Sequence, residues 1–370
     1  MRRPGVTSLT MPSPLPAAES ALDAIARIAR ESPTAQEILE QAADRIGRVV
    51  PTDGYFLAAT DPETTLATGM GVVQDLPRDQ CEPTWDYEFL VPDFVKFADV
   101  ARSGRAVADI HEATGGRPER SPRFRRYSAA TGFRAEVRLA FAIGEAAWGV
   151  GQLNRAGRGA RFTEDEKAWL ERVARVVARG LRRTVLAPPD AAPDGRGPGI
   201  VVLDRADRVV SATREAAEWL GELDPALAAP SATGLPLPFH THALAARARA
   251  AHDDGEPAVR ARMRTRRGVW LLMHGAPLQG TDQLALVIEP AKAGDIAPLI
   301  VEAYGLTPRE LDVTRAIARG LGTAEIAAQL HLSAHTVRDH VKVVFEKVGV
   351  SSRGELVHKV FAEHYTPPSH

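Results

Sequence analysis

The stretch LTPRELDVTRAIARGLGTAEIAAQLHLSAHTVRDHVKVVFEKVGVSSRGELVHKVF, residues 306–361, predicts four consecutive helices. A residue type that caps helix N-termini stands before each of them, at Thr307, Thr323, Ser333 and Ser352. The first start is the most complete, because Pro308 follows the cap and Glu310 stands three residues after it. Gly320 and Gly349 are placed to end the first and third helices. The segment is therefore predicted to be all-α.

The third of these helices has two contrasting faces. One face is apolar and is formed by valines at i, i+4, i+7 and i+11, namely Val337, Val341, Val344 and Val348. The opposite face is polar and is formed by His335, Arg338, Asp339 and Lys342. Two short helices joined by a tight turn, with cations and hydrogen-bonding groups near the start of the second, are typical of a helix-turn-helix.

Four runs of residues carry a specific family resemblance: Leu306–Glu310, Glu325–Ala327, Ser333–His340 and Lys347–Arg353. In order and spacing they resemble the LuxR-type helix-turn-helix. One departure is Gly322-Thr323-Ala324, which stands where the family usually has Ser-Asn-Lys, so a common phosphate-contacting lysine is missing.

The resemblance implies that Arg338, Asp339 and Lys342 face the major groove and that Thr336 and His340 lie beside the DNA backbone. His335 belongs to the same candidate DNA-binding set. Arginine and lysine pair with guanine, and aspartate accepts a hydrogen bond from cytosine N4. The alternative interpretation is an ordinary solvated helix face, on which Asp339 repels phosphate or tethers Arg338.

Bulk composition sets limits on this interpretation. The 370 residues suffice for two or three domains, with 44% apolar and 25% charged residues. The net charge is −1, and residues 305–366 hold eight Lys/Arg against seven Asp/Glu, or about +1. DNA binding must therefore depend on the placement of charge and on dimerisation.

The predicted cellular compartment rests on the cysteine content of the sequence and on the signals that the sequence lacks. The lone cysteine, Cys81, excludes an intrachain disulfide and fits a reducing compartment. Arg2-Arg3 is followed by no apolar core of a signal peptide, and no apolar run approaches the length of a membrane span. The sequence predicts a cytoplasmic protein without membrane contact.

Proline- and glycine-rich stretches divide the chain. Residues 1–18 are predicted to be a disordered lead, 187–198 a linker and 291–304 a second linker. These cuts give a first block at 19–186, a second at 199–290 and the helical segment at 305–370. The predicted fold class is multidomain, with two α+β blocks followed by an all-α four-helix block.

The first block resembles a GAF domain. The residues that carry the resemblance are Trp148–Asn154, read as a closing strand, and Phe162–Glu166, which contains a capping box and begins a long last helix. The Asn-Lys-Phe-Asp-Glu motif of many cyclic-nucleotide-binding GAF domains is absent, so that ligand is not expected.

The second block resembles a PAS domain. Gly199–Asp204, Asp207–Ala212 and Glu215–Leu220 predict a strand, a tight turn, a second strand and a short amphipathic helix. Three later stretches with β propensity, at 258–265, 268–275 and 283–288, complete its predicted sheet.

Aromatic residues cluster in the middle of the GAF-like block. The candidate ligand-binding set comprises Cys81, Trp85, Tyr87, Phe89, Phe94 and Phe97. These side chains predict either ordinary core packing or the wall of a small apolar pocket. Cys81 precedes Glu82-Pro83 without a supporting histidine, so a covalent tetrapyrrole is not expected. No cofactor is predicted.

Three other clusters have ordinary structural interpretations. Arg260, Arg262, Arg264 and Arg266 share one face of a predicted strand, and Arg117, Arg120, Arg123, Arg125 and Arg126 form a second basic patch. Each predicts either ion pairs or contact with an anion or DNA backbone. His240-Thr241-His242, read as a loop, lacks a third ligand, so no metal site is predicted.

The sequence as a whole predicts a homodimeric transcriptional regulator that binds double-stranded DNA. Its GAF-like and PAS-like blocks are expected to sense a small molecule, with a small apolar ligand expected in the GAF-like block, or to mediate dimerisation. One alternative is a regulator whose upstream blocks hold no ligand and dock a partner protein. The other is an enzyme with an appended helix-turn-helix, although no catalytic residues are identified.

Overall fold

The structure, a computed structural model, describes residues 14–76, 81–187, 195–223, 228–229, 235, 237–253 and 259–362. Within these ranges the chain forms two antiparallel five-stranded sheets flanked by helices, and then a group of helices. The predicted fold class, two α+β units followed by an all-α unit, is confirmed. Across the same ranges, no helix combines the length and apolarity that crossing a membrane requires.

The first unit contains the strands β1 (Gly54–Thr60), β2 (Ala67–Gln74), β3 (Val107–Asp109), β4 (Phe133–Ile143) and β5 (Ala146–Ala156). Its helices are α1 (Pro14–Glu31), α2 (Ala35–Val49), α3 (Cys81–Phe89), α4 (Phe97–Arg102), α5 (Ile110–Ala113) and α6 (Glu164–Val185). Short 3₁₀ and π turns at Pro118–Arg120 and Phe124–Ser128 precede β4. Among described residues the sheet order is β2-β1-β5-β4-β3.

Strand β4 separates two layers of the first unit. Val137, Leu139 and Phe141 join the core formed with α1, α2 and α6. Glu136 and Arg138 alternate with them and therefore point to the opposite face, where α3 and α4 lie. The long helix α6 begins as the sequence predicts, with a capping box between Thr163 and Glu166.

The second unit contains β6 (Gly199–Leu203), β7 (Val209–Ala212), β8 (Ala228–Ala229), β9 (Leu237–Pro238), β10 (Val259–Arg264), β11 (Trp270–Pro277) and β12 (Leu284–Pro290). Its helices are α7 (Arg214–Gly221) and α8 (Phe239–Asp253). The five described strands of the larger sheet follow the order β10-β11-β12-β6-β7, and β8 pairs with β9 separately. Counted within each unit, without β8 and β9, both sheets have the order 2-1-5-4-3.

Helix α8 corrects one prediction. The segment His240-Thr241-His242, expected to be a loop, lies inside α8. The helix has no clear apolar stripe, because the sequence from Ala243 to Ala246 is buried on every side. A helix that is apolar all round has no helical periodicity for sequence analysis to detect.

The C-terminal helices are α9 (Ala293–Ala303), α10 (Pro308–Ala318), α11 (Thr323–Leu330), α12 (Ala334–Val348) and α13 (Arg353–Val357), with a π turn at His358–Ala362. Helix α9 occupies the segment 291–304, where a linker was predicted. Pro298 lies in the middle of α9, where it removes one backbone hydrogen bond, and the burial of Ile296, Leu299 and Ile300 stabilises the helix despite that loss. Helix α1 likewise begins at Pro14, inside the predicted disordered lead, most of which lies outside the described residues.

Arg262 on β10 connects three parts of the chain. Its Nη1 atom donates to both carboxylate oxygens of Asp61, at 3.1 and 2.8 Å, and Nη2 lies 2.7 Å from Glu63 Oε2. Its Nε atom donates to the carbonyl of Asp295 at the start of α9, at 2.5 Å. One side chain thus joins the first sheet, the second sheet and the helix that leads to the C-terminal group.

The neighbouring Arg264 makes a second connection of the same kind. Its Nη1 and Nη2 atoms donate to the carbonyls of Thr184 and Ala187 at the end of α6, at 2.6 and 2.5 Å. Two arginines of the predicted strand face therefore hold the units together. In this stripe Arg262 forms ion pairs between units and Arg264 donates hydrogen bonds between units, which supports a structural role for both side chains.

We expect Arg262→Ala to lower the free energy of unfolding by about 3 kcal/mol, because the side chain of Asp61 is only 1% exposed and would lose its partner charge. Burial already raises the pKa of Asp61, against the opposing charge of Arg262. Arg260→Ala is the matched control, since Arg260 lies on the same strand and is exposed. Chemical denaturation of the full chain measures both, and equal losses would contradict the assigned role of Arg262.

Candidate nucleic-acid interface

Helix α12 begins and ends where the sequence predicts. The Ser333 hydroxyl accepts a hydrogen bond from the Thr336 N–H at 3.0 Å, and Gly349 ends the helix with φ +69°. The predicted apolar face is confirmed, because Val337, Val344 and Val348 are buried and Val341 is half-buried. These valines fix which side of α12 faces the domain interior.

The opposite face of α12 is open to solvent. His335 and Lys342 are each 79% exposed, Asp339 is 65% exposed, and Arg338 is also exposed. Thr336 and His340 flank this face and are half-buried. The structure thus brings all six candidate DNA-binding residues together on the first half of one helix.

Few contacts occupy the side chains of this face. His335 Nδ1 lies 2.8 Å from Asp339 Oδ2 one helical turn later. Arg338 Nε donates to the carbonyl of Ala334 at 3.3 Å, and Lys342 lies 4.0 Å from Glu346. At such exposure these contacts are weak, so the side chains can rearrange toward another partner at little cost.

The start of α11 differs from the prediction at one position. Gly322, not Thr323, is the N-cap of α11, and its N–H donates to Glu325 Oε2 at 2.6 Å. The Thr323 hydroxyl instead accepts from Arg353 Nη2 at 2.9 Å, while Arg353 Nη1 donates to the carbonyl of Leu321 at 2.8 Å. A contact from α13 uses the hydroxyl, which explains why the local capping rule failed.

Lys347 anchors the far end of α12. Its ammonium lies 2.6 Å from Glu310 Oε2 and 3.0 Å from the carbonyl of Gly305. Glu310 also closes the capping box of α10, where its carboxylate accepts from the Thr307 N–H at 2.8 Å. The start of α10 and the end of α12 are therefore tied through one carboxylate, which fixes the angle between the two helices.

The six residues of the candidate ligand site do not surround one cavity. The side chain of Cys81 lies outside the described residues. Trp85 and Phe89 stack at 6.2 Å and belong to the core of the second unit, whereas Phe97 meets Phe56 edge-on at 5.5 Å. Tyr87 packs on Tyr127, and Phe94 lies under Arg120. The aromatic side chains thus fill several contacts between layers.

Charged residues lie instead on the face of β4 next to α3 and α4. Arg123 donates to both carboxylate oxygens of Glu136, at 2.7 and 2.6 Å, and Arg138 donates to Glu88 at 2.7 Å. Arg138 Nε lies 3.4 Å from Glu136 Oε1. Burial lowers the pKa of Arg138, while the charge of Arg123 holds the pKa of Glu136 below its usual range despite burial.

The sequence prediction missed this buried network, although it contained a clue. Glu136 and Arg138 stand two residues apart in an otherwise apolar strand, which places both on one face. Arg123 was assigned to a basic surface patch, yet it is buried. Two hydrogen bonds of that patch are local, from Arg120 to the carbonyl of Thr114 and from Arg125 to that of Glu119.

The histidine segment shows no sign of a metal centre. His242 is buried in α8, and burial lowers its pKa to about 4, so the imidazole is neutral near pH 7. Over the described ranges, no three His, Cys, Asp or Glu side chains are arranged to hold a metal ion.

The geometry of α11 and α12 defines a helix-turn-helix domain. Residues 305–360 match the family described as "Bacterial regulatory proteins, luxR family", so this part of the chain is a LuxR-type helix-turn-helix. The chain is 42% identical over 76 residues to the transcriptional activator protein ExaE of Pseudomonas putida, covering 20% of this chain and 34% of that protein. It is 46% identical over 56 residues to the transcriptional regulatory protein UhpA of Salmonella typhimurium, covering 15% and 29%. The matches span about a third of the relatives' own length.

Solved structures are similar over longer stretches but at low identity. The GAF domain of a phosphoenolpyruvate-protein phosphotransferase from Coxiella burnetii is 14% identical, with a TM-score of 0.33, over 46% of this chain and 96% of that chain. Escherichia coli SdiA is 14% identical, with a TM-score of 0.35, over 92% of this chain and 95% of that chain.

The tie between Glu310 and Lys347 predicts acid sensitivity of the C-terminal domain. Burial opposes ionisation of Glu310, but the hydrogen bonds from Lys347 and from the Thr307 N–H outweigh it and hold the pKa of Glu310 below its ordinary value of 4.5. The folded state therefore binds this proton less readily than the unfolded chain. The stabilising contribution is full above the ordinary pKa and is lost as pH falls through the folded pKa.

We expect the wild-type domain to lose stability more steeply than Glu310→Gln between about pH 5 and about pH 3. Hydrogen exchange at backbone amides of α10 and α12 in the full chain measures the effect. Glu346→Gln is the control, since Glu346 is exposed on α12. The ion pair between Glu310 and Lys347 does not cause the acid sensitivity if Glu310→Gln and wild type lose stability alike as pH falls.

Proposed function

We propose that this protein is a sequence-specific, DNA-binding transcriptional regulator. One observation carries the proposal: Arg338, Asp339 and Lys342 are exposed on α12, opposite the buried valine stripe of a LuxR-type helix-turn-helix. In such a motif the second helix enters the major groove with its N-terminal half. A regulator must share the compartment of its DNA, so the proposal includes a cytoplasmic location.

The exposed side chains have the chemistry that base reading requires. The guanidinium of Arg338 and the ammonium of Lys342 can donate to guanine O6 and N7, and Asp339 can accept from cytosine N4. Asp339 shares only one carboxylate oxygen with His335, so its other oxygen is available for a base. Thr336 and His340, at the edge of the face, are proposed to contact phosphate.

Arg338→Ala and Lys342→Ala should each weaken binding to a cognate DNA site by about 1–3 kcal/mol, because each removes a base contact. The cognate site is first found by mapping the DNA that the wild-type protein binds, and affinities are then measured by fluorescence anisotropy. Binding should also weaken steeply with salt.

Arg205→Ala supplies the matched control, since Arg205 is an exposed arginine between β6 and β7, away from the helix-turn-helix and from the proposed pairing surfaces. It should leave affinity unchanged at fixed ionic strength. The assignment of α12 is wrong if the folded double variant Arg338→Ala/Lys342→Ala keeps wild-type affinity for the mapped site.

The two upstream units, residues 19–186 and 199–290, are proposed to receive the signal or to mediate dimerisation. Because the reading face of α12 is exposed, control by pairing of two chains is favoured over masking within one chain. Helix α9 begins beside Arg262 and runs to the helix-turn-helix, so a shift between the upstream units has a route to α12. The buried charges on β4 favour a polar ligand over the apolar one predicted from sequence.

The regulator should act as a dimer. A single domain with a charge of about +1 gains few phosphate contacts, and helix-turn-helix proteins increase affinity by occupying two half-sites. The fourth helix, at Ser352–Phe361, is the proposed pairing surface, and α6 is a second one. Light scattering of the full-length protein with its mapped DNA should give two chains per site. A monomer on a single, unrepeated half-site contradicts this arrangement.

A further inference from the structure

A buried receptor for a carboxylate lies between β4 and α4. Arg138 Nη1 and the Phe97 N–H donate to the two oxygens of one carboxylate, at 2.7 and 2.6 Å. The guanidinium carbon of Arg138 lies 4.0 Å from the centre of the Phe97 ring, and the side chain of Arg138 is 1% exposed. The carboxylate belongs to Glu88 on α3, which is a different segment from the two donors. The receptor is therefore occupied by the chain itself.

A groove of about 570 Å³ reaches Glu88 from solvent, while Arg138 and Phe97 lie behind Glu88 and do not line it. It is bounded by α3, α4 and α8, and it is lined by Glu88, Phe89, Lys96, Ala98, Arg247 and Ala251, among others. Within the part of the chain that the structure describes, neither Lys96 nor Arg247 has a carboxylate within 4 Å. Asp93 and Asp99 also line the groove; Asp99 pairs with Arg102, and Asp93 accepts hydrogen bonds from the Phe94 and Arg123 N–H groups. The two cations without an ion pair therefore outnumber the one remaining carboxylate and attract a small anion.

We propose that this groove binds a small-molecule carboxylate, which takes the place of Glu88 at Arg138 and at the Phe97 N–H. The proposal rests on the sensory role proposed above for the first unit. A ligand carboxylate restores both hydrogen bonds and the charge next to Arg138, whereas with a neutral ligand the buried Arg123 and Arg138 share the single carboxylate of Glu136. Exchange of one carboxylate for another is therefore the low-cost way to open this contact.

Release of Glu88 reaches the second unit through α3. Trp85 on that helix is buried in the core of the second unit, and Phe89 lies 5.8 Å from the guanidinium of Arg247 on α8. Helix α3 is thus held by the first unit through Glu88 and by the second unit through its aromatic side chains. Loss of the Glu88 contact weakens the attachment of α3 to the first unit and leaves its attachment to the second unit in place. A ligand that binds only the state in which Glu88 is released therefore shifts the population toward that state.

The test removes the Glu88 carboxylate by mutation and supplies a small carboxylate from solution. Glu88→Ala in the full-length protein should lower the melting temperature, because Arg138 loses its partner. Sodium propionate should then restore several degrees in a saturable manner, whereas propionamide, with sodium chloride added to equal ionic strength, should not. In wild type the same propionate series should give a smaller shift, because the tethered Glu88 competes at high effective concentration.

Glu112→Ala is the matched control, since Glu112 pairs with Lys167 outside the groove. It should show no difference between propionate and propionamide. If Glu88→Ala does not fold, Glu88→Gln keeps the size of the side chain and removes the charge, and it too should gain more from propionate than wild type does.

The proposal is overturned if propionate raises the melting temperature of both Glu88 variants no more than that of wild type. It is also overturned if propionamide raises the melting temperature of Glu88→Ala as much as propionate does. Neither measurement involves DNA. A failure of Arg338→Ala to affect DNA binding is therefore distinguishable from a failure of the carboxylate site.

Discussion

The ion pair between Arg262 and Asp61 is the constraint on which the arrangement of the chain depends. A carboxylate that is almost fully withdrawn from water requires a partner charge, and that partner comes from the other sheet. The same guanidinium also binds the backbone at the start of α9, so the separation of the sheets and the position of α9 are set together. The helix-turn-helix follows directly after α9, so the position of α9 sets where the helix-turn-helix lies.

The C-terminal domain was predictable from sequence because its determinants are local. The caps at Thr307 and Ser333 act within three residues, and the valine stripe of α12 repeats every turn. Such features remain visible in a single sequence. The polar face that the valines leave exposed was predictable for the same reason, and so was the meeting of the six candidate residues on it.

The remainder could not be predicted because it depends on contacts between distant residues. Arginine is usually a surface residue, so the sequence does not show that Arg123, Arg138 and Arg262 are withdrawn from solvent. Only the fold shows that each pairs with a carboxylate, 13, 50 and 201 residues away respectively. Helix α8 lacks a clear apolar stripe because Ala243 to Ala246, which span all sides of the helix, are all buried. The placement of the aromatic candidate set depends on distant contacts too: its side chains pack on Phe56, Tyr127, Arg120 and the core of the second unit, all outside the segment that contains them.

The two-faced character of α12 also bears on how such a protein diverges. The valines carry the packing, and the Lys347 anchor lies at the far end of the helix, so His335, Arg338, Asp339 and Lys342 contribute little to folding. With the DNA-reading role proposed for this face, substitutions at these four positions would alter the bases that are read while leaving the domain intact. Duplicated copies of the gene can therefore acquire new target sites in single steps, without first acquiring compensating changes in the core.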